Sequence, residues 1–249
     1  MIDGRFAKAI PGQISVMNCS NVTIYGFTIR LSAANGAQIY LKGSGNTVTN
    51  NIIDSGLGDG ISISGSDNTV SNNVINSTLQ CGIRVFGSNS TITNNVVLSS
   101  LDTGIFLAGS NSNLTHNVIQ SNQVGINLSA GDGNLVRNNT IEANEVGLQC
   151  GTDASHSLVC GNRFVGNDEQ ALDNGASNKW DKGYPYTPEN ETGGGNYWSD
   201  LGNCTDVYSG PNQNERANCS WASPDGICDQ PYHVSSNSTD HYRFSWYRA

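Results

Sequence analysis

Short stretches in which apolar and polar residues alternate recur from about Ile14 to Phe164, separated by Gly, Asn and Ser, with a period of 22 residues or so. Strict alternation predicts half-buried β-strands rather than helices, because successive side chains on a strand point to opposite faces. Two motifs carry the repeat. The first, Asn46-Thr47-Val48-Thr49-Asn50-Asn51-Ile52-Ile53, returns as Asn68-Thr69-Val70-Ser71-Asn72-Asn73-Val74-Ile75 and in shorter form further along. Its apolar anchors are Ile24, Val48, Val70, Ile92, Leu114, Val136 and Val159, at steps of 24, 22, 22, 22, 22 and 23 residues. The second is a Gly followed by an apolar-x-apolar strand, as in Gly60-Ile61-Ser62-Ile63, Gly82-Ile83-Arg84-Val85, Gly104-Ile105-Phe106-Leu107, Gly125-Ile126-Asn127-Leu128 and Gly147-Leu148-Gln149-Cys150.

Strands this short cannot bury their apolar side alone. Stacking like coils solves the problem, since each Ile or Val then lies under the same residue type one coil later. The repeat therefore predicts an all-β fold: a single-stranded right-handed parallel β-helix of about seven coils over residues 1–177, with a loop-rich C-terminal cap over 178–249. Asn51, Asn73, Asn95, Asn117 and Asn139 align in one column, where each amide can donate to the next. His116 falls in the neighbouring column of Asn50, Asn72, Asn94 and Asn138 and reads as a structural stand-in for Asn rather than a catalytic base.

The two ends differ. From Asn178 onward the chain carries all four Trp (Trp180, Trp198, Trp221, Trp246) and reads as an aromatic cap covering the open end of the solenoid. Met1 to Gln13 leads almost directly into the first coil. Either these residues fold over that end, or the chain is a fragment, or another molecule covers it. Head-to-tail self-association through the solenoid ends is the corresponding partner expectation.

Composition narrows the setting. A net charge of −9, with no cluster of Lys and Arg, argues against nucleic acid and against an anionic membrane surface as partners. No run of 18 apolar residues exists, so no transmembrane segment is expected, and Met1–Phe6 lacks the apolar core of a signal peptide. Two features point to an extracellular or cell-surface location. One is the density of Asn-X-Ser/Thr acceptor sites, at Asn18, Asn21, Asn76, Asn89, Asn113, Asn127, Asn138, Asn190, Asn203, Asn218 and Asn237. A chain rich in Asn, Ser and Thr also makes such sites by chance. The other is the cysteines. Cys204, Cys219 and Cys228 fall in the loop-rich region where a bridge would replace missing core, and Cys150 and Cys160 flank one turn that a disulfide could close. Seven is an odd number, so at least one thiol stays unpaired within a monomer.

The residues Gly194-Gly195-Asn196-Tyr197-Trp198-Ser199-Asp200, followed by Asp225-Gly226-Ile227-Cys228-Asp229-Gln230-Pro231-Tyr232, resemble the C-terminal signature of NosD-like β-helix proteins. These belong to the wider class of carbohydrate-binding proteins and sugar hydrolases and are abundant on archaeal cell surfaces. The signature ends in an Asp-Tyr pair, matched here by Asp240 with Tyr242, and the Asn-Asn-x-Ile and Gly-Ile-x-Leu coils are also similar. Cys228 departs from the family's Gly, and a segment carrying Cys204 and Cys219 is inserted before the acidic motif. Read as a Ca²⁺ site, that motif would use Asp225 and Asp229, with Asp200 and Asp206 contributing; the alternative is a turn in which Asp side chains cap backbone amides. Copper, which the family name implies, lacks an arranged Met/His/Cys set in the sequence.

Candidate chemistry is sparse. On the stacked arrangement Asp102 and Glu145 share an outward column two coils apart, with Gln123 between them, and Arg84 projects outward between Ser62 and Phe106. These are the candidate catalytic residues of a polysaccharide lyase, hydrolase or epimerase, although no convergent acid, base and charge stabiliser is visible. Trp180, Tyr184, Tyr186 and Trp221 are the candidate glycan-binding rings. The leading reading is a surface or extracellular β-helix with a structural or glycan-binding role and a polysaccharide partner; a polysaccharide-active enzyme is the alternative.

Overall fold

The structure is a computed structural model that describes residues 2–3, 10–11, 14–30, 36–181, 195–201, 232–236 and 238–240. It is a parallel β solenoid of about seven coils. Each coil contributes one strand to each of three parallel sheets. The first face holds strands such as Thr47–Thr49 and Thr69–Ser71, the second Ile52–Gly56 and Val74–Thr78, and the third Ile61–Ser64 and Ile83–Phe86. The sheets have eight, nine and eight strands, respectively.

Register follows the repeat. Val48 pairs with Val70, Val70 with Ile92, Ile92 with Leu114, Leu114 with Val136 and Val136 with Val159. All of these side chains point inward and are essentially fully buried. Columns from the other two faces meet them, Ile53–Ile75–Val97–Ile119–Ile141 from the second and Ile61–Ile83–Ile105–Ile126–Leu148 from the third. They form one continuous core.

The corners between faces leave backbone groups that no sheet satisfies, and buried asparagines supply the partners. Asn73 is typical. Its Nδ2 donates to the carbonyl of Val48 (2.9 Å) and to Oδ1 of Asn95 (3.0 Å), and its backbone N–H donates to the same Oδ1 (3.0 Å). The chain of amides from Asn51 through Asn139 continues beyond the expected five residues to Asn162 and then to Asn196. Beside it, Asn50, Asn72, Asn94, His116 and Asn138 all hold φ between 54° and 57°, the left-handed region that Asn tolerates. His116 adopts the same backbone at φ 57°, in keeping with a turn residue.

The amide ladder ends on a carboxylate. Asn196 donates to Oδ2 of Asp240 through its backbone N–H (2.6 Å) and its Nδ2 (3.2 Å), and Trp198 Nε1 donates to the same oxygen (2.9 Å). A side chain at Gly195 would collide with that carboxylate, so the glycine before Asn196 is required by close approach. Tyr197–Trp198 adds a last strand to the second sheet, where Trp198 stacks on Phe164 at 4.4 Å with planes 8° apart. Trp180 packs against both rings at 6.4 and 5.9 Å. The NYWSD-like signature is thus the plug that closes the solenoid. Asp173 anchors the same plug through donors from Ser238, Trp180, Asn178 and the Gly175 amide. Burial pushes its pKa up, but these four donors outweigh burial and the net shift is downward.

Two expectations are corrected by the geometry. Trp180 is 1% exposed and donates its indole N–H to Asp173, so it is cap core and closed to a sugar. Cys150 points into the core in register with Leu128 and is a free thiol, so no bridge joins it to Cys160. Cys160 lies on another face, in the column of Arg137. Cys204, Cys219 and Cys228 lie outside the described residues, as does most of the segment assigned to the cap.

Of the acceptor sites, Asn76, Asn113 and Asn127 take outward strand positions set by the same alternation, while Asn18, Asn21, Asn89 and Asn138 sit at left-handed turn positions. A ladder Asn is followed two residues later by an inward apolar side chain, as in Asn51-Ile52-Ile53, so it cannot also precede Ser or Thr at that spacing.

The ladder and its terminus set two expected outcomes. Asn95→Ala leaves the Asn73 backbone N–H and the Val70 carbonyl without their side-chain partner and takes one of two acceptors from Asn73 Nδ2; at about 1–3 kcal/mol for each of the two orphaned groups, the loss is roughly 2–6 kcal/mol. Asn94→Ala, exposed and at φ 55°, costs about 1 kcal/mol. Urea denaturation of the two variants measures the contrast. Burial raises the Asp240 pKa from 3.8 to about 7, against the pull of its Trp198 and Asn196 donors. Between those values the folded chain holds a proton that the unfolded chain releases, so stability falls as pH rises through that window and levels off above about 7. Each tenfold change in the ionisation constant is worth about 1.4 kcal/mol, which makes the fall on the order of 4 kcal/mol. Asp240→Asn removes this component of the pH profile, as melting temperatures across the window will show.

Candidate functional site

The third face presents an outward column of Tyr40, Ser62, Arg84, Phe106, Asn127 and Gln149, set by the register of its strands. A second outward column places Phe86 between Ser64 and Ala108. Phe86 is 45% exposed, and its ring lies 5.6 Å from that of Phe106. Arg84 stands over Phe106 at 5.0 Å from the ring centroid, a cation–π geometry. Two aromatic rings, tilted 58° to each other, and a guanidinium therefore share one strip.

Two carboxylates bracket Arg84. Asp59 accepts from Arg84 Nε at 2.9 Å and is fixed in turn by the backbone N–H of Cys81 at 3.0 Å. Asp102 approaches Arg84 Nη2 at 3.9 Å and stays half exposed. Burial pushes the Cys81 thiol beneath this cluster up to about 12, partly offset by Arg84 and reinforced by Asp59 and Asp102. A thiol with that pKa is no nucleophile at neutral pH. What the cluster offers instead is a fork of donors and two acceptors beside apolar rings.

A recess opens at the corner between the second and third faces. Its floor follows the column Ser121, Ala143 and Gly166, where the left-handed backbone (φ 59°, 52° and 60°) carries small side chains. Below lie the buried amides of Asn122 and Asn144, and along the rim stand Gln123, Glu145 and Asp168 on successive coils. The recess is open and has a volume of about 500 Å³.

Its origin is a one-residue step in the repeat. In the three preceding coils Leu57, Leu79 and Leu101 stack as an exposed ridge at this corner. Thr103 then pairs with Val124, one residue short of the 22-residue step, and the ridge position is lost. A bulge at Ser129, between Leu128 and Ala130, restores the register on the third face. Leu101, at 67% exposure, is left as the end wall of the recess.

The sequence-derived candidates divide accordingly. Arg84 and Asp102 come together, and with them Asp59, which sequence reasoning passed over. Glu145 lies apart, two coils beyond Asp102 with Gln123 between, at a backbone separation of about 10 Å. Asp200 is exposed in the short helix Ser199–Leu201, while Asp206, Asp225 and Asp229, and the rings Tyr184, Tyr186 and Trp221, lie outside the described residues. Phe86 and Phe106 were missed. The available signal was two outward positions on neighbouring coils of the third face both occupied by Phe.

A family model described as periplasmic copper-binding protein (NosD) matches residues 3–203. No curated protein sequence matches the chain. Among solved structures, one described as the complex of XylC with xylose is similar, with 15% identity and a TM-score of 0.42 over 74% of this chain and 41% of that one. The present chain thus spans less than half the length of that neighbour.

Burial also sets thiol reactivity. Cys19 is exposed, whereas Cys81 and Cys150 are buried with raised pKa values. Under native conditions iodoacetamide should label Cys19 within minutes and spare Cys81 and Cys150 until denaturant is added, as read by peptide mass spectrometry.

Proposed function

The chain belongs to the NosD family, and from the geometry of its third face we propose that it is an envelope or extracellular β-helix protein that binds neutral glycans there. The observation that carries this reading is the pairing of an exposed ring, Phe86, and a half-buried one, Phe106, with a pre-set hydrogen-bonding cluster. Phe86 presents an exposed apolar ring on which the C–H face of a pyranose can stack, with Phe106 tilted beside it beneath Arg84. Arg84 has donors left over after its bond to Asp59, and Asp102 has free acceptor positions. Sugar hydroxyls both donate and accept, so one hydroxyl can engage each group. With two carboxylates to one guanidinium the strip is net negative, which disfavours uronates and sulfated polymers.

Location rests on the family name, which places the matched protein type in the periplasm. Among the described residues no helix is long and apolar enough to cross a membrane. The same name carries copper, but the described residues do not fit a copper site. Among them no group of three His, Cys, Asp or Glu side chains is arranged to hold a metal ion, and Cys81 and Cys150 are buried as protonated thiols.

An array of neutral and uronate-containing glycans tests the reading. Binding should be confined to neutral glycans, and Phe86→Ala with Phe106→Ala should weaken it at least tenfold, about 1.4 kcal/mol. Unchanged affinity in the double variant, preference for uronates, or no binding at all would overturn it.

A further inference from the structure

The platform on the third face and the recess at the corner meet at Asp102. Arg84 reaches from above Phe106 toward Asp102, and Leu101 beside it forms the end wall of the recess. Resting on the glycan reading of the third face, we propose that the two are one continuous site for an extended oligosaccharide, with the corner recess holding the sugar units beyond those stacked on Phe86 and Phe106.

Four features of the recess carry this. Its direction is axial, because Gln123, Glu145 and Asp168 occupy equivalent positions on successive coils. At about 4.8 Å per coil the rim spans roughly 10 Å, the length of a short run of linked pyranoses. Its floor of Ser121, Ala143 and Gly166 lets a ring approach the backbone closely. Its rim combines one amide and two carboxylates, groups that together donate to and accept from hydroxyls, and no basic side chain lines it. A phosphorylated, sulfated or uronate ligand would meet only negative charge there.

The recess also exists for a definable reason. The ridge of Leu57, Leu79 and Leu101 would block an axial ligand, and it stops where the repeat drops one residue, immediately before Gln123. The deletion is compensated on the third face at Ser129, so it changes the corner without disturbing the core columns. The straight rim favours extended, β-1,4-linked chains over compact or coiled ones.

Calorimetric titration with xylo- and cello-oligosaccharides, from the disaccharide to the hexasaccharide, tests the proposal. In the wild-type protein the hexasaccharide of at least one series should bind at least tenfold more tightly than its disaccharide. Gln123→Ala combined with Glu145→Gln, both at exposed positions, should abolish that gain and leave disaccharide affinity within twofold of wild type. An unchanged melting temperature confirms that the fold is intact. If Phe86→Ala with Phe106→Ala weakens every oligosaccharide but the rim variant keeps the full chain-length gain, the recess is no part of the site and the proposal fails while the platform stands. It fails in the same way if wild-type affinity does not depend on chain length. If neither series binds, or if the Phe variants change nothing, the glycan platform itself fails and the recess proposal with it.

Discussion

Every feature of this molecule depends on parallel strands pairing in register with the equivalent strand one coil away. At a step of 22 residues, Val48, Val70 and Ile92 stack on one another, and so do Asn51, Asn73 and Asn95. A parallel ladder tolerates no drift, because a slip by one residue would turn each inward Ile or Val to solvent and each outward Thr or Asn into the core. The register therefore fixes core, corners and surface columns together. Functional variation is confined to outward positions and to corners that can gain or lose a residue without moving the strands.

The corners impose the second demand. A buried turn must satisfy its own carbonyls and amides, and at the corner between the first and second faces one asparagine per coil does so by bonding backward to a carbonyl and forward to the next amide. A one-directional chain of this kind needs an acceptor at its end. Asp240 is that acceptor, and the plug of Asn196, Trp198 and Gly195 is built around its carboxylate. The structure thereby accounts for the C-terminal motif of this chain. Its Asn finishes the ladder, its Trp finishes the core column that ends in Phe164, and its distant Asp receives both. Conventional charge pairing plays a small part in this, and burial of the carboxylate is the reason its protonation tracks stability.

Fold and site were legible in the sequence to different degrees. The coils, the inward columns and the Asn ladder could be read because each is a periodic signal repeated many times. Asn162 and Asn196 were not assigned to the ladder because the step grows to 23 and then 34 residues, which breaks the period. Trp180 was read as a surface ring because composition cannot tell a capping aromatic from a binding one; only Asp173, seven residues upstream, reveals that its indole N–H is committed inward. Asp59 escaped notice because its partner Arg84 lies on the next coil, reached by the length of the side chain rather than by column alignment.

The recess was present in the sequence as an anomaly. The glycines that open the third-face strands run Gly60, Gly82, Gly104 and then Gly125, one residue early, while the anchors on the first face keep their even step through the same coils. In a solenoid, a local departure that leaves the core columns in phase has to be absorbed by a corner and offset by a bulge, and Ser129 is that bulge. A mismatch of this kind carries more information than another perfect repeat. Perfect repeats report what stacking requires. A compensated deletion ends the ridge of exposed leucines, opens an axial channel and leaves the core intact, so it marks a place where surface shape is free to follow a ligand rather than the scaffold.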